Sequence, residues 1–331
     1  MNIKSVTMLS LFFLALGGCT DSVSTDDEVL GNWTRKSDFE GVGRSGGVSF
    51  MIGERVFVGT GFDGTNRLKD FWEYSASLNT WFRIADFPGV ARNGAVAFAI
   101  GDKGYVGTGY DGTNRLNDFW QYDPEANTWT QVADFVGSGR FGAVAVAIAG
   151  RGFAGAGYDG SDLKDWWEYD DDNDTWIQKV SIGGAKRTNA FAFELNGKGY
   201  VGGGQNNGIF ESDFWQYDPE TDTWEGKNDL INDDEDDGDD YSLLRNSSST
   251  FTIAGYAYIV GGSTSEMLSD VWEYEPVSDT WTSKTAFEGV AREDAIGFAV
   301  GSYGYVTTGR SLSLRFDDIW MFDPLEEADE E

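Results

Sequence analysis

The sequence predicts an all-β chain in which six four-stranded antiparallel units stack radially into one closed ring. Three observations predict it. The phrase NDFWQYDPEANTW at Asn117–Trp129 returns as KDFWEYSASLNTW at Lys69–Trp81, KDWWEYDDDNDTW at Lys164–Trp176, SDFWQYDPETDTW at Ser212–Trp224 and SDVWEYEPVSDTW at Ser269–Trp281. It begins a sixth time as DDIWMFDP at Asp317–Pro324. The period is that of a structural array: Trp72 and Trp120 stand 48 residues apart, Trp120 and Trp167 47, Trp167 and Trp215 48, and Trp272 and Trp320 48. Only the step from Trp215 to Trp272, at 57, is long. Finally, 44 glycines and 5 prolines suit tight turns better than long helices.

The repeated phrase supplies the two outer strands of each unit, c and d. Phe119, Trp120, Gln121 and Tyr122 alternate with a period of two, which places Trp120 and Tyr122 on one face of an extended strand. Pro124 then presets the φ of a turn, Asp123 can accept bonds from the backbone ahead of it, and Asn127–Thr128 lead into the strand of Trp129. The inner strands, a and b, come from Arg92–Gly109. Ala95–Ile100 is rich in small and β-branched residues, as a crowded centre needs, and the turn at Gly101–Gly104 leads to Tyr105–Gly109. Glycine at 109 fits a place where another backbone must approach closely.

A Gly pair after strand b, a Tyr, and a Trp beyond six intervening residues, as in Tyr122–Trp129, resemble the Kelch repeat. The resemblance covers about Gly31–Pro324 and implies a six-bladed β-propeller. The pair is intact at Gly203–Gly204 and Gly261–Gly262. Its first member is Thr at Thr60, Thr108 and Thr308, and Ala at Ala156.

A second spacing sets the ring closure. Trp81 to Arg92, Trp129 to Arg140, Trp176 to Arg187 and Trp281 to Arg292 are each 11 residues, and so is Trp33 to Arg44. Trp33 therefore reads as a strand d whose own repeat lies at the other end of the chain, where the last copy stops near Pro324. The amino-terminal strand is expected to complete the sixth blade and remove its free edge. Trp224 to Arg245, at 21, holds an insert containing DDEDDGDD at Asp233–Asp240.

Residues 1–18 carry Lys4, an apolar run from Val6 to Leu16 and two small residues. The run is too short to span a bilayer and reads as an export signal. Leu16-Gly17-Gly18-Cys19 resembles the bacterial lipobox, which implies cleavage before Cys19 and acylation of its sulfur. Residues 19–30 then form a polar tether, 31–324 the propeller and 325–331 an acidic tail. The acidic residues after Cys19 resemble the surface-export signals of some Gram-negative lipoproteins. The expected location is the cell envelope, lipid-anchored at the outer membrane.

Charge and inventory narrow the function. A net charge of −32 argues against a nucleic-acid or anionic-membrane partner, since phosphate binding draws on clustered Lys and Arg. With no His and one Cys, a Ser-His-Asp triad and a histidine metal site are excluded. The chain resembles galactose oxidase in its propeller but lacks the residues of that copper centre, so no cofactor or metal is expected. Asp233, Glu235, Asp237 and Gly238 follow the opening of an EF-hand loop, but Leu244 stands where a bidentate Glu belongs, so a solvated loop is expected there.

The d-to-a and b-to-c loops leave the blades on one face. That face carries Arg44, Arg92, Arg140, Arg187, Arg245 and Arg292 at the channel mouth, and the loops Asp63–Arg67 and Asp111–Arg115, both DGTNR, beside Asp159–Asp162. Two readings of the six arginines stand open: a ring that attracts anions, or one tie per blade to Asp70, Asp118, Asp165, Asp213, Asp270 and Asp318. The candidate ligand-binding residues are these six with Arg67 and Arg115. The acidic insert is expected to cover the arginines of this face. The expectation for function is a monomeric, non-catalytic, lipid-anchored module that recognises a glycan or protein. The alternatives are a sugar-converting enzyme, since six-bladed sialic acid mutarotases resemble this architecture, and a structural envelope component.

Overall fold

A computed structural model describes residues 30–232 and 240–328. They form six four-stranded antiparallel sheets, each ordered a-b-c-d from the axis outward. Blade 1 shows the pattern: Val48–Ile52, Arg55–Gly59, Phe71–Ser75 and Thr80–Arg83. Strand a begins blade 2 at Val96–Ile100, blade 3 at Val144–Ile148, blade 4 at Phe191–Leu195, blade 5 at Ser249–Ile253 and blade 6 at Ile296–Val300. On each strand a the outward residues are buried between blades, while small groups such as Ser49, Ala192, Thr250 and Gly297 line the central channel, a space of about 310 Å³. Glu194 also lines it, held by the N–H of Gly197 at 2.7 Å.

The ring closes as the tryptophan spacing predicts. Leu30–Arg35 is strand d of blade 6, antiparallel to Ile319–Glu327, with Trp33 opposite Phe322. Trp33 is only 3% exposed and its ring meets Phe287 of blade 5 at 4.9 Å. The pairing runs past Pro324 to Leu30↔Glu327, so Leu325–Glu327, expected in the tail, continue the blade. The register shifts between Leu30 and Asn32, and the Leu325 N–H donates to Asp323 Oδ1 at 3.0 Å. Cys19, the export signal and nearly all of the tether lie outside the described residues.

Aromatic packing between blades makes the core. Tyr122 and Trp129 of blade 2 press on Phe50 and Phe57 of blade 1, and the same set recurs at Tyr169–Trp176 against Phe98–Tyr105. The turn residue that closes each c-d hairpin joins the blades at the rim. Asn127, at φ 51°, accepts from the Tyr122 hydroxyl at 2.9 Å and from the N–H of Ala85, in the preceding linker, at 2.8 Å. Asn79, Asp174, Asp222 and Asp279 repeat both contacts.

The insert between Trp224 and Arg245 is a β-ribbon at its base, with Ile231–Asn232 antiparallel to Tyr241–Ser242. Leu230 and Leu243 are buried beneath it, where the corresponding linkers place Phe39, Phe87, Phe135 or Phe287. Asp233–Asp239, on which the calcium and cover readings fall, lie outside the described residues.

Candidate functional site

Each of the six arginines ahead of strand a is at most 2% exposed. Arg92 shows why. Its main chain bonds blade 1, donating to Leu68 O at 3.2 Å and accepting from Gly61 at 2.8 Å. Its side chain bonds blade 2: Nη1 and Nη2 fork onto Asp118 at 2.7 and 2.8 Å, and Nη1 also reaches Thr108 O at 2.9 Å. The guanidinium lies over Phe87 at 4.8 Å, and Trp120 Nε1 donates to the same Asp118 at 2.8 Å. One residue thus stitches two blades, and the recurring Asp-x-Trp is its receptor.

Arg44–Asp70, Arg140–Asp165, Arg245–Asp270 and Arg292–Asp318 repeat the fork, while Arg187 reaches the Asp213 carboxylate through Nη2 and the Asp213 carbonyl through Nη1. Burial would raise the carboxyl pKa of Asp70, Asp118 and Asp318, but the paired guanidinium and the indole N–H outweigh it and hold all three below the ordinary carboxylate range. This is the arrangement of one tie per blade. The six side chains are spent on it and present no open face to an anion. For the same reason Arg245 offers nothing for an acidic cover to shield.

Above these ties the channel mouth is ringed by main chain. The N–H of Gly94 donates to Gly46 O at 2.8 Å, and Gly142 donates to Gly94 at 3.1 Å. Asn189 to Gly142 at 2.8 Å, Ser247 to Asn189, Asp294 to Ser247 and Gly46 to Asp294, each at 2.9 Å, close the circle. All six residues have φ between 53° and 60°, a left-handed conformation in which Gly, Asn and Asp are the usual occupants. With neighbours spaced like strands in a sheet, the collar leaves an opening of about 6 Å at most. It is therefore a floor for any larger ligand on this face.

Around the collar the b-to-c loops divide into two arcs. In blades 6, 1 and 2 an arginine stacks on an aromatic ring of the next blade: Arg315 on Phe62 at 5.7 Å, Arg67 on Tyr110 at 4.8 Å, and Arg115 on Tyr158 at 5.1 Å. Arg67 also covers Phe62 at 5.2 Å, and its Nε donates to Asn93 Oδ1 and Tyr110 O. Phe141 bridges Tyr110 and Tyr158, at 5.6 and 5.5 Å. None of the three arginines pairs with a carboxylate among the described residues. Burial, and next the nearby Arg310, lower the pKa of Arg315 from the usual arginine value.

The same positions in blades 3, 4 and 5 hold Asp162, Phe210 and Met267, facing Gln205, Ser263 and Arg310 of the next blade. Here charge is matched. Arg310 is neutralised by Glu293 at 2.6 Å and Asp294 at 2.9 Å, and buried Glu293 accepts the Ser263 hydroxyl. Asp162, 6% exposed, accepts the Asn207 N–H at 2.7 Å. Burial first, then Asp213, raises the pKa of Glu211.

Of the candidates read from the sequence, Arg67 and Arg115 therefore share the loop-rich arc and the six seam arginines lie beneath it. Arg315 and the rings of Phe62, Tyr110, Phe141 and Tyr158 were missed. The available signal was the aromatic residue before each of Asp63, Asp111 and Asp159.

Comparison with known proteins bears on the whole chain. The family model described as KLHDC2/KLHL20/DRC7 Kelch-repeats domain matches residues 7–190, and the Kelch motif model matches 186–230 and 244–285. No curated protein matches the sequence. A solved structure titled "Structure of YjhT" superposes with a TM-score of 0.71 over 86% of this chain and 96% of its own, at 13% identity. At that identity the likeness shows the fold alone.

Proposed function

The chain belongs to the Kelch-repeat family, and from that premise we propose that it is a non-catalytic, lipid-anchored module of the cell envelope that binds a glycan or protein through its loop-rich face. The observation that carries this reading is the arc of Arg315, Arg67 and Arg115, three stacked cations without carboxylate partners in a chain of net charge −32. Held over aromatic rings, with Arg67 Nε bonded to Asn93 and Tyr110 O and Arg315 Nη1 to Leu312 O and Leu314 O at 3.2 Å, these guanidinium groups give up little rotamer freedom on binding. The fold is compatible with such an anchor: Leu30 enters the sixth blade at the end of its strand remote from the b-to-c loops, so the chain leading back toward Cys19 departs from the face opposite the arc. Cys19→Ser moves the protein from the membrane fraction to the soluble one; a variant that stays with the membrane contradicts the anchor.

A second reading, a sugar-converting enzyme of the mutarotase type, rests on the buried Glu293 beside the Ser263 hydroxyl and Arg310 at the channel mouth. One experiment separates the two. The full chain is incubated with immobilised glycans and envelope proteins, and with free sugar acids followed by NMR. Retention of a partner without faster anomer exchange supports the module. Accelerated exchange that Glu293→Gln abolishes supports the enzyme.

A further inference from the structure

Two subsites of the arc are copies of one another. Asp63–Arg67 and Asp111–Arg115 are the same pentapeptide, DGTNR, and each is pinned in the same way: Asp63 Oδ1 accepts from Thr65 and Asn66, and Asp111 Oδ1 from Thr113 and Asn114. Arg315 adds a third cation on the opposite flank of Phe62. The guanidinium groups do not converge on one point. They come from three successive blades: Arg315 and Arg67 share the ring of Phe62, and Arg115 lies over Tyr158. Equivalent loops in series match a ligand that itself repeats. The other arc, where Arg310 is taken up by Glu293 and Asp294 and where Asp162 and Glu211 add negative charge, does not attract such a ligand, and the collar prevents it from threading the channel. The ligand is thereby confined to half of the ring.

Main-chain groups around the arc are already paired, Ser45↔Phe62↔Arg67 and Asn93↔Tyr110↔Arg115, which leaves no strand edge for a peptide to extend. The exposed neighbours of the arginines are hydroxyl and amide side chains, Thr65, Asn66, Thr113 and Asn114, of the kind that pair with sugar hydroxyls. We propose that the arc of Arg315, Arg67 and Arg115 binds a linear acidic polysaccharide, laid across blades 6, 1 and 2 with carboxylates of successive units forked onto the guanidinium edges. This deepens the reading of the loop-rich face as a binding surface and rests on it.

The test is calorimetric titration of the full chain with four probes: hexagalacturonate, galacturonic acid, neutral maltohexaose and hexaglutamate. The expected result is that hexagalacturonate binds at least about tenfold tighter than any other probe. Arg67→Gln, Arg115→Gln and Arg315→Gln each weaken it about tenfold, as loss of a charge-assisted hydrogen bond does. Arg67→Lys falls between wild type and Arg67→Gln, because the charge stays while the fork is lost. Failure of wild type to bind the hexamer overturns the proposal. If galacturonic acid or hexaglutamate binds as tightly and the three substitutions weaken that binding, the polysaccharide inference falls and the binding face stands. Binding that ignores all three substitutions removes both.

Discussion

Two sets of arginines lie on the same side of the propeller and meet opposite fates. The seam set, Arg92 and its five equivalents, is buried, and each member is tied to an aspartate and a carbonyl, with Arg44, Arg92, Arg140 and Arg292 also lying over a phenylalanine ring. The arc set, Arg315, Arg67 and Arg115, shares the aromatic platform but pairs with no carboxylate among the described residues. A contact present in every blade satisfies a demand every blade has, which is to be joined to its neighbour. A contact confined to half the ring answers no such demand. Its cost is also different in kind: unpaired cations beside an acidic surface gain nothing from one another, which is the ground for reading them as a binding surface.

The comparison can be broken first at the seams. Trp33→Ala opens the closure between blades 5 and 6 and is expected to lower stability by about 4 kcal/mol, as truncation of a buried Trp does, read as a shift in the urea midpoint. Arg92→Leu leaves Asp118 and Thr108 O without their donor. Because Asp118 keeps partial contact with water, the loss belongs at the low end for a broken buried pair, about 3 kcal/mol in the same measurement. A change under 0.5 kcal/mol in either variant contradicts the seam account.

Acid sharpens the contrast. The lowered carboxyl pKa values of Asp70, Asp118 and Asp318 mean that the folded state holds these protons less tightly than the unfolded chain. Their contribution is full above the unfolded pKa, about 3.9, and is lost as pH falls through the lower folded values. Stability is expected to drop below about pH 4, with a shallower drop in Asp118→Asn, which has no carboxyl to titrate there. Equal slopes in the two proteins contradict this assignment. Substitutions in the arc should act least on stability. Arg115→Gln is expected to move the unfolding free energy by less than about 0.5 kcal/mol, as surface changes outside packed networks do, and Arg67→Gln, which gives up the bonds to Asn93 and Tyr110 O, by about 1 kcal/mol.

Much of this was legible in the chain. Ring closure could be read because Trp33 and Arg44 keep the spacing of the other blades, and the seam ties because Arg and Asp-x-Trp recur together in every unit. The arc was only half legible. Arg67 and Arg115 stood out, but each stacks on a ring of the following blade, about a repeat later in sequence, and Arg315 belongs to a loop, RSLSLR, with no resemblance to DGTNR. The collar left less trace. It is built from N–H and C=O groups that every residue possesses, and its six members are Gly, Gly, Gly, Asn, Ser and Asp, linked only by a shared left-handed φ.

The central claim is that the seam arginines hold the ring together while the arc arginines hold a ligand. The most direct test is one titration of hexagalacturonate against the triple variant Arg67→Gln, Arg115→Gln, Arg315→Gln, run on protein whose melting temperature has been matched to wild type. The account predicts a melting temperature within about 4 °C of wild type, since no more than about 2 kcal/mol is at stake across the three substitutions in a chain of this size, together with loss of measurable binding. A variant that binds as wild type does, or one that no longer folds, contradicts it.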